Sequence, residues 1–259
     1  AFAAHLRAAA VAPYCLLADV IEEDFRLDTL PHVIGGARRQ LVQRRLSLLF
    51  HGTSHFHAEF QGRERDGRRD DRVLLSALTN EDLLLPWLQA LAHAERPLQG
   101  IWSVPLLTPA LVKKLGAAAP HLLFVSYHPQ AGMRQSYLQG EELKFSRLTP
   151  PGAEDGSGQL LEECRRTRLY LESQRLLPRD VPLTVRVVNA AGQKPPRQDA
   201  PADPLLEFEF LPLDTAARAI GLGAVPAGSG GEALFLHLLA SRRPFSNPYA
   251  TADELWHYR

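Results

Sequence analysis

Three short apolar runs near the middle of the chain constrain its fold more than any other feature of the sequence. The runs cover Leu122–Tyr127, Met133–Leu138 and Leu143–Leu148. Turn residues rich in Gly and Pro bound them, which is typical of consecutive antiparallel strands. A helical pattern at Gln159–Leu177 and a strand-like run at Pro182–Asn189 follow. The sequence therefore predicts a sheet that begins with a three-stranded meander and continues after a helix.

Composition excludes several classes of protein. The chain has 259 residues, of which 45% are apolar and 22% charged, and its formal net charge is zero. This size fits one large or two ordinary domains, and the charge argues against a nucleic-acid partner, which requires a basic surface. No apolar run approaches the about 18 residues of a membrane helix, and no signal-peptide pattern begins the chain. Because the first residue is alanine, we expect the sequence to be a piece of a longer polypeptide, with membrane contact only through a part of it absent here.

The first half alternates strands and helices. A strand is predicted at Tyr14–Val20 and a helix at Ala37–Phe50. His55–Arg63 alternates apolar and polar residues, Asp66-Gly67 forms a turn, and Arg72–Leu78 returns, so these residues predict a hairpin.

The end of the first half carries a helix, a strand and a second helix. They are predicted at about Asn80–Ala94, Pro97–Val104 and Thr108–Leu115, the last with a proline at its first helical position. Ala117–Pro120 then reads as a junction. We therefore predict two domains, a first lobe over residues 1–118 and a second over residues 119–259.

The second half continues after its meander, helix and strand. Ala190–Asp203 is predicted as an exposed loop, Leu205–Leu211 as a strand, and Asp214–Ile220 and Gly231–Ser241 as helices. This order of elements resembles a ribonuclease-H-like half, and the first half resembles an incomplete copy. Two such halves side by side imply an α/β, actin-like (ribonuclease-H-like) two-lobed fold with mixed sheets flanked by helices, its first lobe truncated.

Four ordered features carry a more specific resemblance. They are Leu30-Pro31 ahead of a helix, the hairpin around Asp66-Gly67, the segment Pro97–Leu106, and Phe145–Thr149 with its arginine. They resemble the actin-like platform proteins of type IV pilus assembly (the PilM kind) and the cytoplasmic domain of the type II secretion L-protein, over most of the chain. The resemblance implies a cytoplasmic protein attached to the bacterial inner membrane. Its expected partners are a segment of an inner-membrane assembly protein and a secretion-type motor ATPase.

The departures from this family concern nucleotide binding. Members that bind ATP carry Asp-x-Gly near the start of each half, whereas the second half here has Val125-Ser126-Tyr127-His128. Ala190-Ala191-Gly192-Gln193 stands where paired glycines would embrace adenosine, and Gly230-Gly231 comes only before a later helix. We therefore expect a degenerate member, a non-catalytic scaffold with no cofactor and no assigned catalytic, cofactor-binding or metal residue. A divergent actin-like ATPase is the alternative.

Two clusters could ligate a metal and support a third hypothesis, a metal-dependent enzyme. The first comprises His51, His55, His57 and Glu59, and the second Asp19, Glu22, Glu23 and Asp24. The favoured interpretation is a solvated strand face for the first cluster and a solvated loop for the second.

Other chemistry-bearing residues have an ordinary structural interpretation beside a functional one. Ser126 and His128 would share a strand face, but no Gly-x-Ser-x-Gly elbow surrounds them. Cys15 and Cys164 are interpreted as buried thiols, with a disulfide left open.

The arginines are expected at the surface, and the tryptophans in a core or interface. The charged turn Arg63–Arg72 is expected to form balanced pairs across a hairpin, with a docking role as the alternative. The predicted helix at Ala37–Phe50 carries four arginines, Arg38, Arg39, Arg44 and Arg45. They are expected to form a polar face or to approach anionic lipid. The tryptophans are expected in a core or interface, and they are Trp87, Trp102 and Trp256.

Overall fold

A computed structural model of the chain describes residues 2–151, 157–189, 203–241 and 247–255. The chain forms two compact units. The first comprises Ala1–Ser103 and Arg243–Arg259, and the second comprises Val104–Arg242. This division differs from the one expected at residues 118 and 119, and it returns the C-terminal residues to the first unit.

The first unit contains three helices, five strands and a 3-10 turn among its described residues. The helices are α1 (Phe2–Ala8), α2 (Gly35–Leu49) and α3 (Leu85–His93), the turn is Glu81–Leu83, and the strands are β1 (Tyr14–Ala18), β2 (Glu23–Leu30), β3 (Phe56–Arg63), β4 (Asp71–Leu78) and β5 (Leu98–Ser103). β1 and β5 form a parallel pair, and β2, β4 and β3 form an antiparallel sheet in that order. Helix α2 packs on one face of this sheet, where Leu46 and Phe50 meet Val73 and Leu75 of the central strand.

The described residues of the second unit form one five-stranded sheet with its flanking helices. Its elements are α4 (Val104–Lys114), β6 (His121–His128), β7 (Gly132–Gln139), β8 (Glu142–Thr149), α5 (Ser157–Ser173), β9 (Leu183–Asn189), β10 (Leu206–Pro212), α6 (Leu213–Ile220) and α7 (Glu232–Ser241). The strand order is β10-β9-β6-β7-β8. β6, β7 and β8 form an antiparallel meander, while β9 and β10 run parallel to β6. This is the ribonuclease-H-like arrangement that the sequence predicted.

The fold class is therefore mixed α/β, with sheets flanked by helices, as predicted. The sheet of the second unit is covered on both faces because its central strand β6 is apolar on both faces, and Leu122, Leu123 and Val125 of β6 are all fully buried. In the first unit, the strands described divide into two sheets, so its ribonuclease-H-like character stays a prediction. Residues Glu23–Leu30, for which the sequence predicts no element, form a regular strand because they pair along their whole length with β4.

Helix α4 begins four residues before its predicted start. Val104, Leu107, Leu111 and Val112 are buried, so the helix is fixed by packing from its first turn. Pro109, expected at the first helical position, lies inside the helix instead.

The segment from Asn247 to Leu255, which has no periodicity, is held in the first unit by single anchors. Tyr249 is 1% exposed; its hydroxyl donates to Glu23 Oε1 at 2.8 Å and lies 2.9 Å from Ser76 Oγ. Asn247 Oδ1 accepts the Ile101 N–H at 3.0 Å. Side-chain hydrogen bonds of this kind leave no repeating pattern that sequence reasoning can detect.

Across the described ranges, no helix has both the length and the apolarity that crossing a membrane requires. The loop predicted at Ala190–Asp203 lies largely outside the described residues, as does Trp256.

Candidate functional site

The end of strand β6 meets the start of helix α7 in the second unit. The Gly231 N–H donates to the Tyr127 carbonyl oxygen at 2.7 Å, and the Gly230 N–H donates to Oε1 of Glu232 at 2.8 Å. Free N–H groups at a helix N-terminus are what an anion would bind. Here two of the N–H groups at this helix start are bonded to the protein's own oxygens, one of them in a carboxylate.

Both glycines are required by the close approach of the two segments. A Cβ on Gly230 would lie 2.4 Å from the Tyr127 carbonyl oxygen, and one on Gly231 would lie 2.9 Å from Ser126 Cβ. Only glycine leaves room for this contact. The sequence shows the pair only as residues that precede a helix. The residues it contacts lie about a hundred positions earlier in the chain, where no local pattern points to them.

Ser126 and His128 share a face of β6, as predicted from their spacing. Ser126 Oγ and His128 Nε2 lie 2.9 Å apart, and the residues are 1% and 4% exposed. The His128 ring also packs against Phe235 of α7, with ring centroids 5.8 Å apart. A serine this deeply covered cannot reach a substrate, so the pair fits a structural role better than nucleophilic catalysis.

The histidine cluster of the first unit is divided between different environments. His55 is buried, and its Nε2 lies 2.9 Å from Oε1 of Glu254, while Nδ1 lies 3.2 Å from Oε1 of Glu81, outside hydrogen-bond geometry. Burial lowers the pKa of His55, but the hydrogen bond and charge of Glu254 and the charge of Glu81 outweigh it and raise the pKa overall. His55 therefore links the C-terminal segment to the rest of the first unit. The sequence predicted a solvated strand face for this residue, and that prediction is wrong.

The acidic cluster also has structural contacts. Asp24 accepts the Phe25 N–H at 2.9 Å and pairs with Arg26, and Glu23 accepts the Tyr249 hydroxyl. Among the described residues, no three His, Cys, Asp or Glu side chains converge in a way that could hold a metal ion.

A groove between α2 and β3 is the best candidate site on the first unit. Its volume is about 880 Å³, and its lining residues all belong to α2 or β3. Phe56, Ala58 and Phe60 contribute from the strand, while Arg39 and Arg44 contribute from the helix. The groove therefore combines an apolar strand face with a basic helix face.

β3 is an edge strand, and its register determines which backbone groups face outward. The Leu78 N–H donates to the His55 carbonyl at 2.9 Å, and the pairing continues with His57 opposite Ser76. Since hydrogen-bonded and non-hydrogen-bonded pairs alternate, Phe56, Ala58 and Phe60 direct their N–H and C=O groups away from β4. The same three residues line the groove, so the outward backbone groups lie along it.

A buried carboxylate organises one end of the groove. The side chain of Asp71 is 5% exposed and lies 2.9 Å from His32 Nδ1 and 3.4 Å from both Arg38 Nη2 and Arg63 Nε. The Arg38 guanidinium lies 3.4 Å from the centroid of the Phe60 ring, a cation–π geometry. Asp71 thus fixes Arg38, which in turn covers Phe60. The charged hairpin therefore does form the opposite-charge pairs predicted for it.

The remaining predicted residues lie in varied environments. Trp102 is buried in the first unit, whereas Trp87 is 47% exposed and stacks edge-on against Phe2 at 4.9 Å. Both cysteines are free thiols. Cys164 is buried, and burial, reinforced by the charge of Glu163, raises its pKa to about 12. Cys15 was predicted to be buried and is exposed instead.

His57 gives a testable pH dependence. Burial lowers its pKa from 6.5 to about 4. Between pH about 6.5 and pH about 4, His57 is therefore protonated in the unfolded chain and neutral in the folded chain. Lowering the pH through this range favours unfolding. We expect the stability of wild type relative to His57→Gln to fall as pH is lowered through this range, measured by urea unfolding.

The comparison of wild type with variant isolates His57, because His55 shifts in the opposite direction. His93→Gln, at an exposed histidine of α3, is the matched control for the loss of a histidine side chain. A His57→Gln profile parallel to that of wild type would contradict the assignment.

Comparisons with known proteins give structural similarities only. No family model matches the sequence, and no curated protein matches it. A chain of the PilM-PilN type IV pilus biogenesis complex is similar with a TM-score of 0.49 and 12% identity, over 81% of this chain and 67% of that one. A Bacteroides thetaiotaomicron protein described as having an actin-like ATPase fold and unknown function is similar with a TM-score of 0.31 and 8% identity, over 68% of this chain and 58% of that one.

Proposed function

We propose that this chain is a non-catalytic scaffold of a type IV pilus or type II secretion-like assembly. In this role it is a degenerate actin-like protein of the bacterial cytoplasm that binds a segment of an inner-membrane partner. The family is suggested by the sequence resemblance, which extends over most of the chain. A secretion-type motor ATPase is a second candidate partner on the same basis.

The contacts at the start of α7 carry the non-catalytic part of the proposal. A nucleotide-binding helix end needs N–H groups free to receive phosphate oxygens, with a carboxylate placed to hold a hydrated metal. Here the Gly230 and Gly231 N–H groups donate to Glu232 and to the Tyr127 carbonyl. A phosphate would have to displace both bonds and approach the Glu232 carboxylate, whose charge opposes it.

A divergent ATPase is the second candidate, and one observation favours it. Gly230 and Gly231 stand at a helix start and allow a close approach of backbone to the end of β6. Paired glycines at a helix start are also what a nucleotide site would use. The two functions therefore differ in what occupies this helix start, which a binding measurement decides.

Calorimetric titration of the protein with ATP and Mg²⁺ distinguishes the scaffold from the ATPase. We expect no saturable binding, because the N–H groups at the helix start are already bonded. Saturable binding at micromolar nucleotide, abolished by Gly231→Val, would reverse the proposal in favour of the ATPase. Gly223→Val, at a glycine whose Cβ would meet open space, is the control for nonspecific loss.

The partner is tested by cross-linking in inner membranes of the source bacterium. A photo-reactive residue at an exposed position should cross-link to a bitopic assembly protein. A synthetic peptide of that protein's cytoplasmic segment should then bind the purified chain and compete with the cross-link. Failure of the peptide to bind would remove the direct interaction that the proposal requires.

A further inference from the structure

The groove between α2 and β3 has the properties of a peptide-binding site. We infer that it takes an extended segment that adds as a strand to the free edge of β3 and carries carboxylates to the arginines of α2. This inference rests on the proposed function, since it names the site and the chemistry of the partner segment.

The backbone of β3 provides the first part of the argument. Phe56, Ala58 and Phe60 point their N–H and C=O groups away from β4, along a groove that no strand fills within the described residues. An extended peptide beside β3 would pair with these groups, as in other cases of strand addition. The available edge is short, because the pairing with β4 becomes irregular between Phe60 and Arg63.

The side chains provide the second part. Phe56 and Ala58 are half-buried, while Phe60 is 36% exposed, and all three face the groove. Val42 and Leu46 extend this apolar surface onto α2. A peptide strand would cover it with its helix-facing side chains, and burial of apolar area would favour binding.

The charge of the groove selects the peptide. Its lining includes Arg38, Arg39 and Arg44 and no carboxylate. Arg38 is already engaged by Asp71 and Phe60, and the neighbouring Arg45 is engaged by Asp28 at 2.5 Å. Arg39 and Arg44 are exposed on the groove side, so they are the groups that a partner's carboxylates would meet.

A peptide fits this surface better than anionic lipid does. Lipid headgroups could meet the same arginines, but they offer no row of alternating donors and acceptors for the strand edge. An acidic, extended segment satisfies the edge, the apolar surface and the arginines together.

The test uses the whole chain and a short fluorescent peptide. In this peptide the alternate side chains are glutamate, leucine and glutamate, and threonine occupies the positions between them. We expect saturable binding by fluorescence anisotropy, weakened by added salt. An otherwise identical peptide with lysine for glutamate should bind about tenfold more weakly or not at all.

Two protein variants and two modified peptides locate the interaction. Arg39→Glu with Arg44→Glu should weaken binding of the acidic peptide about tenfold or more, whereas Arg7→Glu with Arg218→Glu, the same charge change at exposed helix positions elsewhere, should not. N-methylation of one alternate set of peptide residues should abolish binding, while methylation of the other set should not, because only one peptide edge can face β3.

The outcomes separate this inference from the proposed function. Lack of binding, equal binding of acidic and basic peptides, or equal behaviour of the two methylated peptides would overturn the inference. So would binding of phosphatidylglycerol vesicles without binding of the peptide. If the natural partner segment binds equally well to wild type and to the Arg39/Arg44 double variant, the scaffold function stands and this site is wrong. If the designed peptide binds but no inner-membrane partner does, the peptide site stands and the scaffold function is wrong.

Discussion

Alanine in place of Gly132 is expected to lower the free energy of unfolding of the second unit by about 3 kcal/mol or more. Gly132 has φ +112°, a conformation that L side chains rarely adopt. An added Cβ would also lie 2.1 Å from the Thr149 carbonyl oxygen and 2.9 Å from the Pro150 carbonyl carbon. Both are backbone atoms, so no side-chain rotation can relieve the clash.

The surrounding meander prevents relaxation as well. Gly132 pairs with His128 of β6, and the adjacent Met133 pairs with Thr149 of β8. Moving Thr149 away from a new methyl group would break this pairing at the end of the sheet. Gly132→Ala therefore introduces backbone strain and steric overlap at once, so the expected loss of unfolding free energy exceeds that from either effect alone.

Gly140→Ala is the matched control, and urea unfolding followed by circular dichroism is the measurement. Gly140 lies in the next turn of the same meander and also has a positive φ, +63°, but nothing lies within 4 Å of its Cβ position. We expect it to cost about 1 kcal/mol, the strain of the left-handed conformation alone. Equal losses for the two variants would show that the contact with Thr149 is not what makes Gly132 necessary.

The meander itself was predictable because its determinants are local. The predicted strands Leu122–Tyr127, Met133–Leu138 and Leu143–Leu148 each lie within an observed strand that is one residue longer at either end. Tight turns and apolar runs are adjacent in sequence, so the pattern that defines them is short. The strand at Pro182–Asn189 was predicted equally well, since Leu183, Val185 and Val187 alternate along it and are buried on one face of the sheet.

Contacts between distant residues account for what the sequence did not predict. Gly230 and Gly231 contact the end of β6, and Tyr249 contacts Ser76, across separations that no periodicity spans. His55 was predicted on a solvated face because it fits the alternation of β3. It is buried instead, since it lies before the regular strand and pairs with Glu254. These positions depend on chain segments whose approach is decided by the whole fold.

The candidate groove was only partly predictable. The alternation of Phe56, Ala58 and Phe60 correctly predicted a shared apolar face, and the arginines of α2 were correctly assigned to a polar one. Neither pattern indicates how far α2 lies from the edge of the sheet. The groove forms where α2 lies beside the edge strand β3, while Leu46 of the helix packs into the apolar cluster that includes Val73 and Leu75 of the central strand.

Methionine in place of Arg168 is expected to cost the second unit about 3–5 kcal/mol, the range for breaking a buried, hydrogen-bonded charge network. The Arg168 side chain is 5% exposed and pairs with Glu172 at 3.0 Å. Its guanidinium donates to three backbone carbonyls, those of Val181 at 2.9 Å, Leu205 at 3.1 Å and Arg179 at 2.9 Å. Methionine would keep much of the packing but remove the guanidinium donor from these oxygens and from the Glu172 carboxylate, and of the three oxygens that of Leu205 would still accept the Leu183 N–H at 2.9 Å.

The position of these carbonyls makes the loss larger than that of an ordinary ion pair. They lie just before β9 and β10, so a single side chain of α5 links the N-terminal ends of two parallel strands. Parallel strands are connected through long crossovers, and no tight turn fixes their register. Arg168 therefore supplies part of the restraint that a hairpin turn supplies for antiparallel strands.

Arg166→Met on the same helix provides the control, with urea unfolding as the measurement. Arg166 is 60% exposed and its ion pairs are with Glu162 and Glu163 of its own helix, so its loss should cost less than about 1 kcal/mol. Hydrogen exchange adds a local test: amides of β9 and β10 should exchange faster in Arg168→Met, while those of β7 and β8 change less. Equal effects of the two substitutions would mean that apolar packing between α5 and the sheet holds β9 and β10 without help from Arg168.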